Sequence, residues 1–167
     1  MSTTLQNGKC GPTLRLQPNA WSCGPTALYN ALQTMGIRCG LRTLCQLSCV
    51  RQDMDDWDTT PGLRLAALHY GVDLLTEFCR THDYFREAVR LRSPMLLCVD
   101  RDSEGPYAHW ISTLRTTSRH VWIADSARPG PVERRLTWRE FLARAVTVHG
   151  PDDRNYSYHP LVRRKRP

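Results

Sequence analysis

The chain changes its hydrophobic period once, near Ser93, and that single change limits the folds open to it. Upstream, apolar residues recur at helical spacing. In "WSCGPTALYNALQTMG", Ala27, Leu28, Ala31, Leu32 and Met35 share one face, which predicts a helix over residues 22–35 that stops at Gly36. Ser22 is a candidate N-cap, and Pro25 falls in the first turn, where N–H groups have no intrahelical partner. A second helix is expected over residues 41–49. The acidic run "DMDDWDTTPG" reads as a loop leading into a third helix, residues 61–70, ended by Gly71. "VDLLTEF" reads as a short strand, and "HDYFREAVRLR" as a helix behind a polar cap.

Downstream the pattern belongs to strands. "PMLLCVD", "HWISTLRTT" and "RHVWIADSA" are rich in β-branched and aromatic residues and are separated by turn material. "PVERRL" reads as another strand, "TWREFLARA" as a helix with a threonine cap, and "YSYHPLV" as the strand that closes the sheet. Helices followed by a largely antiparallel sheet give an α+β order. At 167 residues the chain is expected to form a single domain over residues 12–162, flanked by a flexible arm, 1–11, and a basic tail, 163–167.

Composition excludes several classes. No apolar run is long enough to cross a bilayer, and the start "MSTTLQNGKCG" lacks the apolar heart of a secretory signal. A cytoplasmic protein without a membrane partner is expected, with delivery into another cell left open. Seven cysteines, an odd number without a CxxC pair, argue for reduced thiols over a disulfide framework. Cys45 and Cys49 fall on one face of the expected second helix, close to Cys39. A zinc site would need a fourth ligand nearby, so these three read as small buried hydrophobes; no metal and no cofactor are expected. The net charge of +7 is scattered except in "LVRRKRP", which reads as a solvated tail; nucleic acid is not the expected partner.

One residue stands apart. Cys23 opens the first helix, where unpaired N–H groups and the aligned peptide dipoles favour a thiolate. Gly24 beside it would let a substrate carbonyl approach the backbone, and the same N–H groups would suit an oxyanion. The opposing reading makes Cys23 the start of a buried stripe with Ala27 and Ala31. A base is needed to decide between them. Of six histidines, His109 heads an apolar strand, and a lone strand histidine is most often structural. Asp125 changes that balance. A hairpin centred near Thr117 pairs His109 with Asp125 and Ile111 with Ile123, all on one face. A one-residue slip would turn Asp125 away. The spacing permits a thiol, a base and an orienting carboxylate to meet.

These residues resemble a known family. Gln17, six positions before "CGPTAL" at a helix start, then "HW" at a strand start, then an aspartate after apolar residues, resemble the bacteriocin-processing (double-glycine leader) peptidases and their free-standing relatives, which are papain-like cysteine peptidases. "DTTPGLRLAALHYGV" and "TWREFLARA" resemble two further segments of that family, so the likeness runs from about Gln17 to Ala145. Phytochelatin synthases share the glutamine and CG spacing less fully. The export-coupled members carry transmembrane and ATP-binding regions; none is read in these residues, so the free-standing form is the closer match.

The resemblance implies a papain-like fold, with the nucleophile at a helix N-terminus in a helical half packed on the sheet. It implies Cys23 as nucleophile, His109 as general base and acid, Asp125 as orienter, and Gln17 as an oxyanion-hole donor beside the Cys23 N–H. The implied activity is hydrolysis of a peptide or isopeptide bond in a protein or peptide substrate, through a thioester. Trp21, Gly24 and Trp110 are candidates to line the substrate groove, although core packing explains the two tryptophans nearly as well. The same site would also serve deamidation or acyl transfer, and an inactive papain-like binding module is the rival of a different class.

Overall fold

A computed structural model describes residues 13–49, 60–100, 108–127, 131–145, 147–148 and 154–164. Among these described residues, five helices and eight strands are arranged as α1 (Cys23–Thr34), α2 (Leu41–Leu47), α3 (Thr60–His69), β1 (Val72–Leu74), β2 (Glu77–Cys79), α4 (His82–Arg92), β3 (Met95–Asp100), β4 (Ala108–Thr116), β5 (His120–Ala124), β6 (Glu133–Thr137), α5 (Trp138–Ala145), β7 (Thr147–Val148) and β8 (Arg154–Arg163). The expected arm, residues 1–11, most of the acidic run and the last three residues of the basic tail lie outside the described residues.

The helices form where the apolar spacing predicts them, with local corrections. The helix α1 begins at Cys23, but Ser22 does not cap it through its side chain; the fully buried Ser22 hydroxyl donates to the Asn19 carbonyl at 3.2 Å. Gly36, at φ +72°, closes the helix, with the Ile37 N–H bonded to the Leu32 carbonyl at 2.9 Å. The helix α2 stops at Leu47, and Cys49 sits beyond it at φ +53°, so Cys45 and Cys49 do not share a helical face. In α4 the Thr81 hydroxyl accepts from the Tyr84 N–H at 3.3 Å, which is the expected polar cap.

The sheet runs β1-β8-β3-β4-β5-β6, with β2 and β7 also paired to β8, and every one of these pairings is antiparallel. "YSYHPLV" therefore does not close an edge: β8 lies inside the sheet, between β1 and β3. "VDLLTEF" supplies two strands along one side of β8, broken at Leu75 and Thr76. The break falls level with Pro160, whose carbonyl accepts from the Leu75 N–H at 3.1 Å. Proline has no N–H to give a neighbour, so the ladder is interrupted where the sequence forces it.

Alternating residues divide the core in two. Leu96, Trp110 and Leu161 face α1, α2 and α3, while Met95, Leu97, Val99, Ile111, Ile123, Tyr156 and Tyr158 face α4 and α5. The fold is α+β as expected, but helices cover both faces of the sheet, with only the N-terminal three on the side of Cys23.

Candidate active site

The site forms where three elements end. Cys23 is the first residue of α1, His109 the second residue of β4, and Asp125 the first residue after β5. The Nε2–H of His109 donates to Asp125 Oδ1 at 3.0 Å, and the imidazole is also hydrogen-bonded to the Cys23 thiol. With Nε2 engaged by the carboxylate, Nδ1 is the nitrogen left for sulfur. His109 is 7% exposed and Asp125 3%, so the charges on these groups have little water to solvate them and depend on each other.

The electrostatics of the pair follow from these contacts. Burial pushes the Cys23 thiol up, but the His109 hydrogen bond, backbone N–H donation from Trp110 and Gly24, and the imidazolium charge together bring it below the ordinary thiol value. Burial likewise opposes the charged form of His109. The bonds to Asp125 and Cys23 and the negative charges beside it prevail and raise it to about 9. Both shifts act in the same sense, toward a thiolate beside an imidazolium. By contrast, burial raises the thiols of Cys39, Cys45 and Cys79.

The route by which His109 and Asp125 meet differs from the expected one. The strands join through a tight turn, with the Thr117 N–H bonded to the His120 carbonyl at 2.8 Å. Beyond it Thr116 pairs with Val121 and Arg115 with Trp122. Continued without interruption, that register would set Asp125 level with Ser112, on the face away from His109. Leu114 is an extra residue that bulges out of β4, after which Thr113 pairs with Ile123 and Ser112 with Ala124. The expected pairing of His109 with Asp125 is thus displaced by two residues, an even number, and the shared face survives.

No family model matches the chain. An uncharacterized protein of Methanothermobacter thermautotrophicus is 28% identical over 155 residues, which span 92% of this chain and 96% of that protein. Among solved structures, the peptidase domain of Streptococcus ComA, a bifunctional ABC transporter involved in quorum sensing, superposes with a TM-score of 0.64 at 17% identity, covering 92% of this chain and 99% of that one. A double-glycine motif protease from an AMS/PCAT transporter, solved in complex with a leader peptide, superposes with a TM-score of 0.59 at 15% identity, over 89% and 91% of the two chains. The chain has the bacteriocin-processing peptidase fold.

Within the bacteriocin-processing peptidase fold, the remaining candidates are placed as follows. Gln17 lies against the segment after Asp125: its backbone N–H donates to the Ser126 carbonyl at 3.2 Å and its Oε1 accepts from the Ser126 hydroxyl at 3.1 Å. Its Nε2 donates to the Asn19 carbonyl at 2.9 Å. Gly24 is buried and contributes its N–H to the sulfur. Trp21 is half-buried. Trp110 requires a correction. Its side chain is 5% exposed and packs in the core beneath α1, with its ring 5.0 Å from that of His159, because its position on β4 faces α1, opposite to that of Ile111, which faces α4 and α5. It serves the site through its backbone and does not line a groove. His159 is a buried residue of β8, with its Nδ1 at 3.1 Å from the Thr76 hydroxyl.

Two positioning groups are not singled out by the sequence. Asn30, fully buried on α1, accepts from the Arg15 N–H at 2.8 Å and donates to the Arg15 carbonyl at 3.1 Å, fixing the chain two residues before Gln17. Ser126 is the other; its adjacency to Asp125 is the only trace of it in the sequence. The acidic, histidine and cysteine side chains form no metal-binding group among the described residues, and no described helix is long and apolar enough to cross a membrane.

Proposed function

We propose that the protein is a cysteine peptidase that hydrolyses a peptide or isopeptide bond through a thioester on Cys23. The observation that carries the reading is the buried chain of contacts from the Cys23 thiol through His109 to Asp125, whose Nε2 to Oδ1 distance is 3.0 Å. Its charges favour a thiolate nucleophile with a protonated imidazole beside it. In the first step Sγ attacks the carbonyl carbon and a C–S bond forms. The negative oxygen is stabilised by the Cys23 N–H and the second Nε2 hydrogen of Gln17. His109 then passes its proton to the departing nitrogen as the C–N bond breaks. Water, deprotonated by His109, attacks the thioester carbonyl, and cleavage of the C–S bond frees the thiolate. Asp125 holds the ring through both steps. A peptide substrate accords with the neighbouring fold solved with a leader peptide.

The test is a panel of peptides, including ones with Gly-Gly before the scissile bond, followed by intact mass. Chain cleavage that disappears in Cys23→Ala is the expected result. A gain of about one mass unit without cleavage would mark deamidation, and a new covalent adduct would mark transfer; either would replace hydrolysis as the reaction. Cleavage that persists in Cys23→Ala would remove the nucleophile from the reading.

A further inference from the structure

A glutamine in a loop is a poor oxyanion donor unless something fixes it. Its side chain has three rotatable bonds, and a misdirected amide presents an acceptor where a donor is required. We propose that Ser126 is a positioning residue that aims the Gln17 amide at the oxyanion. The proposal rests on the cysteine-peptidase reading above and assigns a role to a residue outside the set of four.

The contacts specify the orientation of the amide. Oε1 accepts from the Ser126 hydroxyl at 3.1 Å, while Nε2 donates to the Asn19 carbonyl at 2.9 Å. Turning the amide over would face Oε1 toward the Asn19 carbonyl, two acceptors with no proton between them. The two bonds therefore select one of two otherwise equivalent placements and leave one Nε2 hydrogen for a substrate. Ser126 also holds the backbone, since its carbonyl accepts from the Gln17 N–H at 3.2 Å. It is 3% exposed, so its hydroxyl does not exchange this partner for water. Its neighbour Asp125 is itself held by a bond from its N–H to the Val132 carbonyl at 3.0 Å. One dipeptide, Asp125–Ser126, thus sets the angle of the imidazole with its first side chain and of the oxyanion donor with its second.

Two reagents separate this role from general support of the fold. Iodoacetamide alkylates the thiolate by displacing iodide, a step with no tetrahedral oxyanion. p-Nitrophenyl acetate acylates the thiolate through one: the C–S bond forms, the C–O bond breaks and p-nitrophenolate leaves. Both are followed at Cys23 by mass spectrometry. In Ser126→Ala, acylation is expected to slow by roughly 10-fold, a fraction of the roughly 10²–10³ that follows complete removal of an oxyanion donor. Alkylation is expected to keep its rate and pH profile. In a Gln17→Ala background, Ser126→Ala is expected to slow acylation no further. Equal slowing of both reactions, or full independent effects of the two substitutions, would overturn the proposal. If Ser126→Ala does not fold, the native protein supplies the test. The Gln17 side-chain amide proton bonded to the Asn19 carbonyl should exchange with water far more slowly than those of a free glutamine, and free-glutamine rates at both protons would refute the clamp. A native Cys23 with no preference over the other thiols near pH 6 would instead sink the peptidase reading beneath it.

Discussion

Burial opposes both charges of the Cys23–His109 pair, so the pair exists only through the bonds that offset it. Asp125 is the outermost support, and its removal acts on both partners. In Asp125→Asn the imidazolium loses its counter-charge, so His109 titrates below its present value of about 9. The thiolate then loses the imidazolium, and the Cys23 pKa rises. Labelling follows the thiolate, which is present above the Cys23 pKa and lost as pH falls through it. Iodoacetamide labelling of Cys23 at pH 6 is therefore expected to slow in Asp125→Asn and its pH profile to move upward, by about 10-fold in rate for each pKa unit gained wherever the neutral thiol prevails. A pH profile identical to that of the native protein would exclude the carboxylate from this role. Cys23, His109 and Asp125 are legible in the sequence because each stands at an element boundary with a recognisable pattern. Ser126 is not legible, because a serine after an aspartate is ordinary turn chemistry until the far partner is known. Trp110 departs from expectation for a related reason: adjacency to His109 along a strand means opposite faces.

At the scale of elements, helix periodicity carries most of the agreement, and strand pairing carries the departures. The β4–β5 register depends on Leu114, and no local pattern announces a bulge of one residue. The place of β8 is hidden because Pro160 argues for an edge, and its compensation lies in the gap between two strands from another part of the chain. Between α2 and α3 a different constraint operates. A Cβ placed on Gly62 would lie 2.1 Å from the Ser48 carbonyl oxygen, a backbone atom at the end of α2. Alanine improves helix propensity by at most about 1 kcal/mol, less in a first turn. Forcing two backbones apart in a packed interface costs about 1–3 kcal/mol. Gly62→Ala is therefore expected to lower the thermal midpoint, read by circular dichroism; an unchanged or higher midpoint would mean that the two helices separate freely.

For the whole molecule, two apolar clusters on opposite faces of one sheet share the support of the site. Cys23 belongs to the layer of α1, α2 and α3, whereas the far face is held by an aromatic group in which Phe85 stacks 4.4 Å from Tyr156 and 5.9 Å from Phe141. Phe85 is fully buried, so Phe85→Ala is expected to cost about 3–5 kcal/mol in urea unfolding. The folded fraction should still label selectively at Cys23, because no atom of that cluster belongs to the pair. Loss of selectivity in the folded protein would show that the two layers are coupled through the sheet.

The interior position of β8 also governs when the molecule can exist. Val72 at one end of the sheet finds its partner at Arg163, and Met95 finds one at Pro160, so neither strand is complete until β8 has been made. A nascent chain that has reached only β6 already holds Cys23, His109 and Asp125, without the strand that joins the two halves of their platform. Such long-range pairing is slow to nucleate. Assembly of the platform beneath Cys23 therefore waits until β8 clears the ribosome.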